Sequence, residues 1–208
     1  MFTNAEFSVL HDTKRRFMNS LKTELKNSEY DHYTSRIKTN KSIQNKLIRK
    51  GVENPTAQDA VIYLQDLIGV RIVTQYINDI YDIVDIIKAN YKVIEEIDYI
   101  TTPKSSGYRS YHIVIDFPIP EHDHNAFKYC KSIPIELQIR TMGMDFWASL
   151  EHSVIYDKTK NMQLKHSDNR VELVNKELLR YAEDIFSIDM RIQALQHITE
   201  HAMQHQKN

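Results

Sequence analysis

The sequence has few of the residues and segments that mark secreted, membrane-bound or disordered proteins. Its one cysteine, Cys130, excludes an intramolecular disulfide and a cysteine-based metal cluster. Four glycines and five prolines among 208 residues, with 41% hydrophobic residues, indicate an ordered globular chain. No apolar run approaches the length that spans a bilayer, and the N-terminal residues lack the apolar centre of a signal peptide. We therefore expect a cytoplasmic protein.

The charge of the chain is balanced overall but unevenly distributed. The formal net charge of −1 argues against a general nucleic-acid binder. Residues 14–50 contain eleven Lys or Arg and three Asp or Glu, whereas residues 51–101 contain three and nine. A basic segment facing an acidic one suits a polyphosphate substrate with its metal ion, and solvated helix faces would produce the same asymmetry. Charge alone leaves both interpretations open.

The hydrophobic pattern predicts one α+β domain over residues 1–208. Apolar or alternating patterns predict strands at 69–74, 91–99, 111–117 and 133–141. Helices join some of these and loops join others, which predicts a mixed sheet flanked by helices. Residues 30–39 look irregular, and helical patterns cover 6–27, 42–50, 57–67, 142–156 and 171–201. The core spans about 30–157, and helical arms at about 5–27 and 170–202 are apolar enough to pack against another subunit.

A row of basic side chains follows the segment predicted to be irregular. If a helix begins at about residue 38, spacings of four, four and three place on one face Lys38, Ser42, Lys46 and Arg49. Arg36 comes just before this row. Cations with a hydroxyl suit a polyphosphate chain, and they equally suit a solvated face opposite Ile43 and Leu47.

Two further clusters combine charge with apolar strands. Asp66 lies at the entrance of the strand predicted at 69–74, where a carboxylate could bind magnesium, and Arg71 inside that strand could stack on a base. A buried ion pair is the alternative. Gly107 permits a tight loop within 104–112, a segment rich in phosphate-binding and stacking residues. In IELQIRT, one strand face carries Glu136, Gln138 and Arg140, and that face is either solvent-exposed or the floor of an active site.

Taken in order, these clusters resemble the synthetase domain of the alarmone synthetases, within the RelA/SpoT synthetase family. The similar strings are RIK with Ser42-Ile43 and Lys46, DLIGVRIV, SGYRSYH, IELQIRT and DFWASLEH, across residues 33–156. The length is similar to that of the small, single-domain branch. The resemblance implies a nucleotidyltransferase-like fold and a magnesium-dependent GTP or GDP pyrophosphokinase without hydrolase activity. Such an enzyme transfers the β,γ-pyrophosphate of ATP to the 3′-hydroxyl of the acceptor and releases AMP.

The resemblance also implies a role for each matching residue. The acidic pair that organises Mg²⁺ and the attacking hydroxyl is Asp66 and Glu136, and Glu136 is also the candidate base. The guanidinium groups that enclose the adenine of ATP belong to Arg36 and Arg71. The positions that bind the ATP phosphates are Lys38, Ser42 and Lys46. Tyr108 is expected to stack on the guanine of the acceptor, and the same acceptor side includes Lys104, His112 and Gln138.

The resemblance further implies a homotetramer assembled through the terminal helices, with an alarmone or single-stranded RNA as candidate regulators. Thr101 and Ser106 stand where many relatives have Lys and Asn, so acceptor preference or rate is expected to differ. Two other functions remain open: a catalytically silent nucleotide- or RNA-binding module on the same fold, and a nucleotidyltransferase. The intact pair of Asp66 and Glu136 disfavours the first, because an anion binder gains nothing from two carboxylates. The sequence does not specify the preferred acceptor, activation by product or the physiological trigger.

Overall fold

The computed structural model describes residues 2–127, 130–157 and 169–205. Within them the helices are α1 (Asn4–Glu24), α2 (Asn40–Arg49), α3 (Ala57–Tyr63), α4 (Ile77–Asn90), α5 (Met142–Glu151) and α6 (Asn169–His205). A 3₁₀ turn covers Glu121–Asp123, and a π-helical turn, His152–Asp157, follows α5. The strands are β1 (His32–Ile37), β2 (Ile68–Thr74), β3 (Val93–Asp98), β4 (Tyr111–Pro118) and β5 (Ser132–Thr141). They form a mixed five-stranded sheet in the order β1-β2-β5-β4-β3.

The predicted α+β class with a mixed, helix-flanked sheet is confirmed, but the sequence prediction missed one strand. Residues 30–39 were expected to be irregular, and β1 lies within them. Its sequence, HYTSRI, has little apolar alternation, because β1 is an edge strand whose residues alternate between exposed and half-buried. The four predicted strands correspond to β2, β3, β4 and β5, with ends that differ by at most two residues.

Helix α2 begins two residues later than its predicted basic face requires. Thr39 is the N-cap, and its hydroxyl accepts a hydrogen bond from the Ser42 amide. Lys38 therefore lies before the helix instead of in its first turn, so the predicted helical row is wrong at its first member. The helix ends before Gly51, whose φ of 88° is in the left-handed region that favours glycine.

The chain divides into two compact units, and the first holds the N-terminal helix and most of the sheet. It comprises Met1–Ile72, Asp82–Ile97 and His112–Gln138. Phe17 of α1 is fully buried, with its ring centroid 5.4 Å from that of Tyr91 and 5.3 Å from that of Phe117. These edge-to-face contacts explain why the apolar face of α1 is ordered against this unit.

The second unit comprises Val73–Tyr81, Asp98–Tyr111 and Ile139–Asn208. The long pattern predicted at 171–201 forms a single helix, α6, which packs against α5. The Trp147 indole of α5 donates a 2.9 Å hydrogen bond to the carbonyl oxygen of Leu178 on α6. Several large apolar side chains of α6 are nevertheless exposed, including Ile188 at 53%, Leu195 at 63% and Ile198 at 66%. No helix among the described residues is both long and apolar enough to cross a membrane.

Candidate active site

Asp66 lies between α3 and β2 and is held by two lysines. Its Oδ2 atom accepts hydrogen bonds from Lys38 Nζ at 2.7 Å and from Lys46 Nζ at 2.8 Å. The backbone amide of Lys38, just after β1, donates to the carbonyl oxygen of Leu67, which brings the end of β1 beside Asp66. Lys46 reaches the same carboxylate from α2. Three residues that are far apart in sequence thus form one charged cluster in the first unit.

The carboxylate of Asp66 is ionised and keeps one oxygen uncommitted. Burial by itself raises the pKa of Asp66, but the hydrogen bonds and positive charges of Lys38 and Lys46 outweigh it and hold that pKa below its ordinary value. The Oδ1 atom is buried and has no hydrogen-bond partner among the residues that the structure describes. A buried carboxylate oxygen without a donor is costly. Oδ1 is therefore suited to receive a cation or a donor from a ligand.

Glu136 occupies the middle of β5 and is oriented by two neighbours. Its Oε1 atom lies 3.4 Å from His112 Nδ1 of β4, and its Oε2 atom accepts a 3.1 Å hydrogen bond from Gln138 Nε2. The side chain of Glu136 is 20% exposed and that of His112 15%. The polar face predicted for IELQIRT is thus half-buried at Glu136 and Gln138 and lines a cavity there.

The electrostatics of Glu136 join it to Asp66. Burial raises the pKa of Glu136, the hydrogen bond and charge of His112 lower it, and the negative charge of Asp66 raises it again; the net pKa lies below the ordinary value. Because the charge of Asp66 acts on Glu136, the two carboxylates are electrostatic neighbours. The described residues contain no group of three or more His, Cys, Asp or Glu that could hold a metal ion. The two carboxylates are candidate ligands for a cation, and other ligands would have to complete its coordination.

A cavity of about 230 Å³ opens beside Glu136 in the first unit. It is lined by Thr34, Ser35, Arg36, Gly69, Val70, Arg71, Glu136 and Gln138. Arg36 projects from edge strand β1 and Arg71 from β2, so two guanidinium groups border the same space. A Cβ atom added at Gly69 would lie only 3.6 Å from Arg36 Nε, which indicates that the arginine lies over this glycine.

The remaining predicted residues lie on α2 and in the second unit. The side chain of Ser42 is exposed on α2, and Arg49 Nε donates to the Asn45 carbonyl oxygen of its own helix. Lys104 and Tyr108 belong to the second unit. There Tyr108 is only 9% exposed, and the Lys104 ammonium lies 4.7 Å from the centroid of the Tyr108 ring and 4.6 Å from that of the Tyr99 ring.

Comparison with known proteins identifies the family of the chain. The sequence model of one family, described as a region found in RelA / SpoT proteins, matches residues 35–161, which include both carboxylates and both cavity arginines. The chain belongs to the RelA/SpoT family. The matched region therefore covers 127 of the 208 residues.

Two Bacillus subtilis proteins are similar along most of the chain. GTP pyrophosphokinase YwaC is 38% identical over 156 residues, which cover 74% of this chain and 70% of that protein. GTP pyrophosphokinase YjbM is 34% identical over 164 residues, covering 78% and 70%. Among solved structures, small alarmone synthetase 1 from Bacillus subtilis bound to its product pppGpp has a TM-score of 0.69 at 29% identity, covering 89% of this chain and 93% of that one.

Sequence reasoning missed two residues that line the cavity and the environment of a third residue, Arg140. Thr34 and Ser35 line the cavity, and they were overlooked because β1 was expected to be irregular. Their position just before Arg36 was the available signal. Arg140 was noticed as a polar member of β5, but nothing in the sequence reveals that it is buried and bonded to Tyr108.

Proposed function

We propose that this member of the RelA/SpoT family is a GTP pyrophosphokinase that transfers the β,γ-pyrophosphate of ATP to the 3′-hydroxyl of GTP or GDP and releases AMP. The names of YwaC and YjbM support this activity, as does the pppGpp bound to the structural relative. The observation that carries the proposal is the pair of ionised carboxylates, Asp66 and Glu136, beside two lysines and an arginine-lined cavity. Two anionic substrates need cationic groups, and a divalent cation needs carboxylates.

The same pair would hold Mg²⁺. The free Oδ1 atom of Asp66 supports this role, since a hard cation prefers carboxylate oxygen. Mg²⁺ commonly takes only one or two carboxylates and completes its octahedron with water and substrate phosphates, which fits a site with two acidic residues. When bound, the ion would neutralise charge that develops on the phosphate oxygens.

The donor nucleotide is assigned to the first unit. Arg36 and Arg71 would enclose the adenine, because planar guanidinium groups stack well on flat rings. Ser42 and the two lysines that now hold Asp66 would bind the phosphates. A polyphosphate chain would compete with Asp66 for Lys38 and Lys46, since each ammonium group can donate to both.

The proposed reaction is an in-line displacement at the β-phosphorus of ATP. The 3′-oxygen of the acceptor forms a bond to that phosphorus, the bond from the β-phosphorus to the bridging oxygen of AMP breaks, and AMP leaves with that oxygen. Glu136 receives the proton of the 3′-hydroxyl directly or through one water. Its lowered pKa keeps it ionised at neutral pH but makes it a weak base, so charge and positioning contribute more than basicity.

The acceptor roles are proposed from the resemblance. Tyr108 would stack on guanine, with Lys104, His112 and Gln138 as further contacts. In the present conformation the exposed Lys104 lies over the Tyr108 ring, so a base that stacks there has to displace its ammonium group. Cation–π contacts at exposed positions contribute only about 0.5–1 kcal/mol, so displacing the ammonium group costs little free energy.

We further propose that residues 1–208 act as one catalytic domain, that the protein works in the cytoplasm during the stringent response, and that it assembles as a homotetramer. Exposed apolar side chains of α6, such as Leu195 and Ile198, support assembly, because such patches mark protein–protein contacts. An alarmone or single-stranded RNA remains a candidate regulator.

The test is to incubate the purified protein with ATP, MgCl₂ and GTP, GDP or GMP, and to resolve the products by anion-exchange chromatography. We expect equal amounts of AMP and a guanine nucleotide carrying two additional phosphates, and no turnover with EDTA. Asp66→Asn and Glu136→Gln, which preserve volume and remove charge, should be inactive while folded. Nucleotide binding without product would identify a silent binding module, and attachment of AMP to an acceptor would identify a nucleotidyltransferase.

A further inference from the structure

Arg140 is a buried cation that the proposed chemistry does not use. Its side chain is 4% exposed, at the end of β5 in the second unit. Its Nη2 atom donates to the Tyr108 hydroxyl, its Nε atom donates to Ser110 Oγ at 3.2 Å, and its Nη1 atom donates to Asp145 Oδ1 at 3.1 Å. Its guanidinium carbon also lies 5.1 Å from the centroid of the Tyr108 ring.

Two of these hydrogen bonds are directed at one loop. Tyr108 and Ser110 flank Arg109, and the Ser110 hydroxyl also lies 3.3 Å from the carbonyl oxygen of Ile139, next to Arg140 on β5. Asp145 of α5 supplies the opposite charge on the far side of the guanidinium group. A buried arginine is costly unless its donors are satisfied, and an apolar side chain would fill the same volume more cheaply. The arrangement is therefore better explained by a need to fix Tyr108 than by packing.

The two cations that touch Tyr108 differ in their freedom. Lys104 is exposed and can leave the ring, whereas Arg140 is buried and held by Asp145. Trp147, Leu178 and Ala182 enclose the ring in the same cluster. The hydroxyl end of Tyr108 is thus anchored, while the cation over its ring is replaceable.

We propose that Arg140 is a positioning residue for the acceptor nucleotide: by holding the hydroxyl of Tyr108, it fixes the plane on which the guanine stacks. This inference rests on the proposed function, because it assumes that Tyr108 binds the guanine. Arg140 itself touches neither substrate and acts only through Tyr108. Loss of the anchor should weaken use of the guanine nucleotide and spare ATP.

Steady-state kinetics of three variants test the proposal. Tyr108→Phe keeps the ring and removes the oxygen that accepts the hydrogen bond from Arg140. Arg140→Lys keeps the positive charge but loses the planar guanidinium group with its several donors. Each should raise the KM for GTP or GDP about fivefold, with the KM for ATP within about twofold of wild type, since a hydrogen bond to a charged group is lost. The KM of the double variant for the guanine nucleotide should be no higher than that of the more impaired single variant, because both changes break the same contact. Tyr91→Phe is the matched control: it removes a hydroxyl that donates to Ser20 at 2.9 Å in the first unit, and it should leave both KM values unchanged.

The outcomes separate the inference from the proposed function. If the wild type is active and Tyr108→Phe keeps the normal KM for the guanine nucleotide, the proposed role of Arg140 is wrong, but the proposed function stands. Tyr108→Phe gives this answer even if Arg140→Lys does not fold. Additive effects in the double variant, or equal losses for both substrates together with a lowered Tm, would mean that Arg140 is merely structural. If the wild type makes no pyrophosphorylated guanine nucleotide, the proposed function itself is wrong.

Discussion

Replacing Asp66 with Asn should destabilise the protein in a way that depends on pH. The substitution keeps the shape of the side chain but removes the charge that two ammonium groups share, at 2.7 and 2.8 Å. Lys38 is 11% exposed and Asp66 14%, so that pair is largely shielded from water, whereas Lys46 is 39% exposed. A hydrogen bond between buried charged groups contributes about 1.5–3 kcal/mol, and the more exposed pair adds less than about 1 kcal/mol. We expect a loss of about 2–3 kcal/mol in the free energy of unfolding at pH 7.

The pH dependence of this loss follows from the pKa of Asp66. Its folded pKa is below the ordinary value of 3.8, so the stabilisation is fully present above that value and disappears as the pH falls through the folded pKa. Wild type and Asp66→Asn should therefore differ most at neutral pH and converge in acid below about pH 4.

Urea unfolding followed by circular dichroism, between pH 7 and the lowest pH at which wild type stays folded, measures this difference. Asp116→Asn is the matched control, because Asp116 pairs with Lys92 at 2.8 Å, whose side chain is 74% exposed, and otherwise bonds to the uncharged side chain of Ser132. We expect the control to lose less than about 1 kcal/mol. Equal stability of Asp66→Asn and wild type at pH 7, or a gap that widens in acid, would refute the account of this cluster.

Three further predictions concern the donor site, the loop and the assembly. Arg71→Ala should raise the KM for ATP about tenfold and leave that for the guanine nucleotide nearly unchanged, since a stacking partner is lost on one side only; the opposite bias would reverse the assigned halves of the site. Gly107→Ala should cost about 1–3 kcal/mol of stability, because φ is 89° and the new Cβ atom would lie 2.5 Å from the Cβ atom of Ala182; an unchanged urea midpoint would contradict this. Sedimentation should find a species larger than a dimer that Leu195→Glu or Ile198→Glu converts to smaller forms, and a stable wild-type monomer at micromolar concentration would exclude assembly through α6.

The sequence predicts those parts of the fold whose side chains carry a strong local pattern. GVRIVT and IELQIRT could be identified as strands because β-branched or alternating residues are buried there. The edge strand β1 could not be identified, since one of its faces is exposed, the other is only half-buried, and polar residues are tolerated there. The pattern of 171–201 predicted helix but not its length, because only packing against α5 decides whether a long amphipathic segment bends.

The candidate site divides in the same way. The order of the motifs along the chain predicted Asp66, Glu136 and the basic residues as site residues, because pyrophosphate transfer requires carboxylates and cations. Their partners follow from tertiary structure alone: Asp66 is 28 residues from Lys38 and 20 from Lys46. Likewise, the bond from Arg140 to Tyr108 spans 32 residues. No local pattern encodes contacts between residues so far apart in sequence. From the sequence alone, a buried arginine such as Arg140 looks the same as an exposed arginine on a strand.

The most direct test of the central claim is to follow the terminal phosphate of ATP. With ATP labelled with ³²P at the γ position, MgCl₂ and GTP or GDP, the label should move to the guanine nucleotide, and one AMP should form for each labelled product. Treatment of that product with an enzyme that removes only 5′-phosphates should leave the label attached at the 3′ position. Label found in free phosphate or pyrophosphate, or AMP joined covalently to an acceptor, would contradict pyrophosphate transfer.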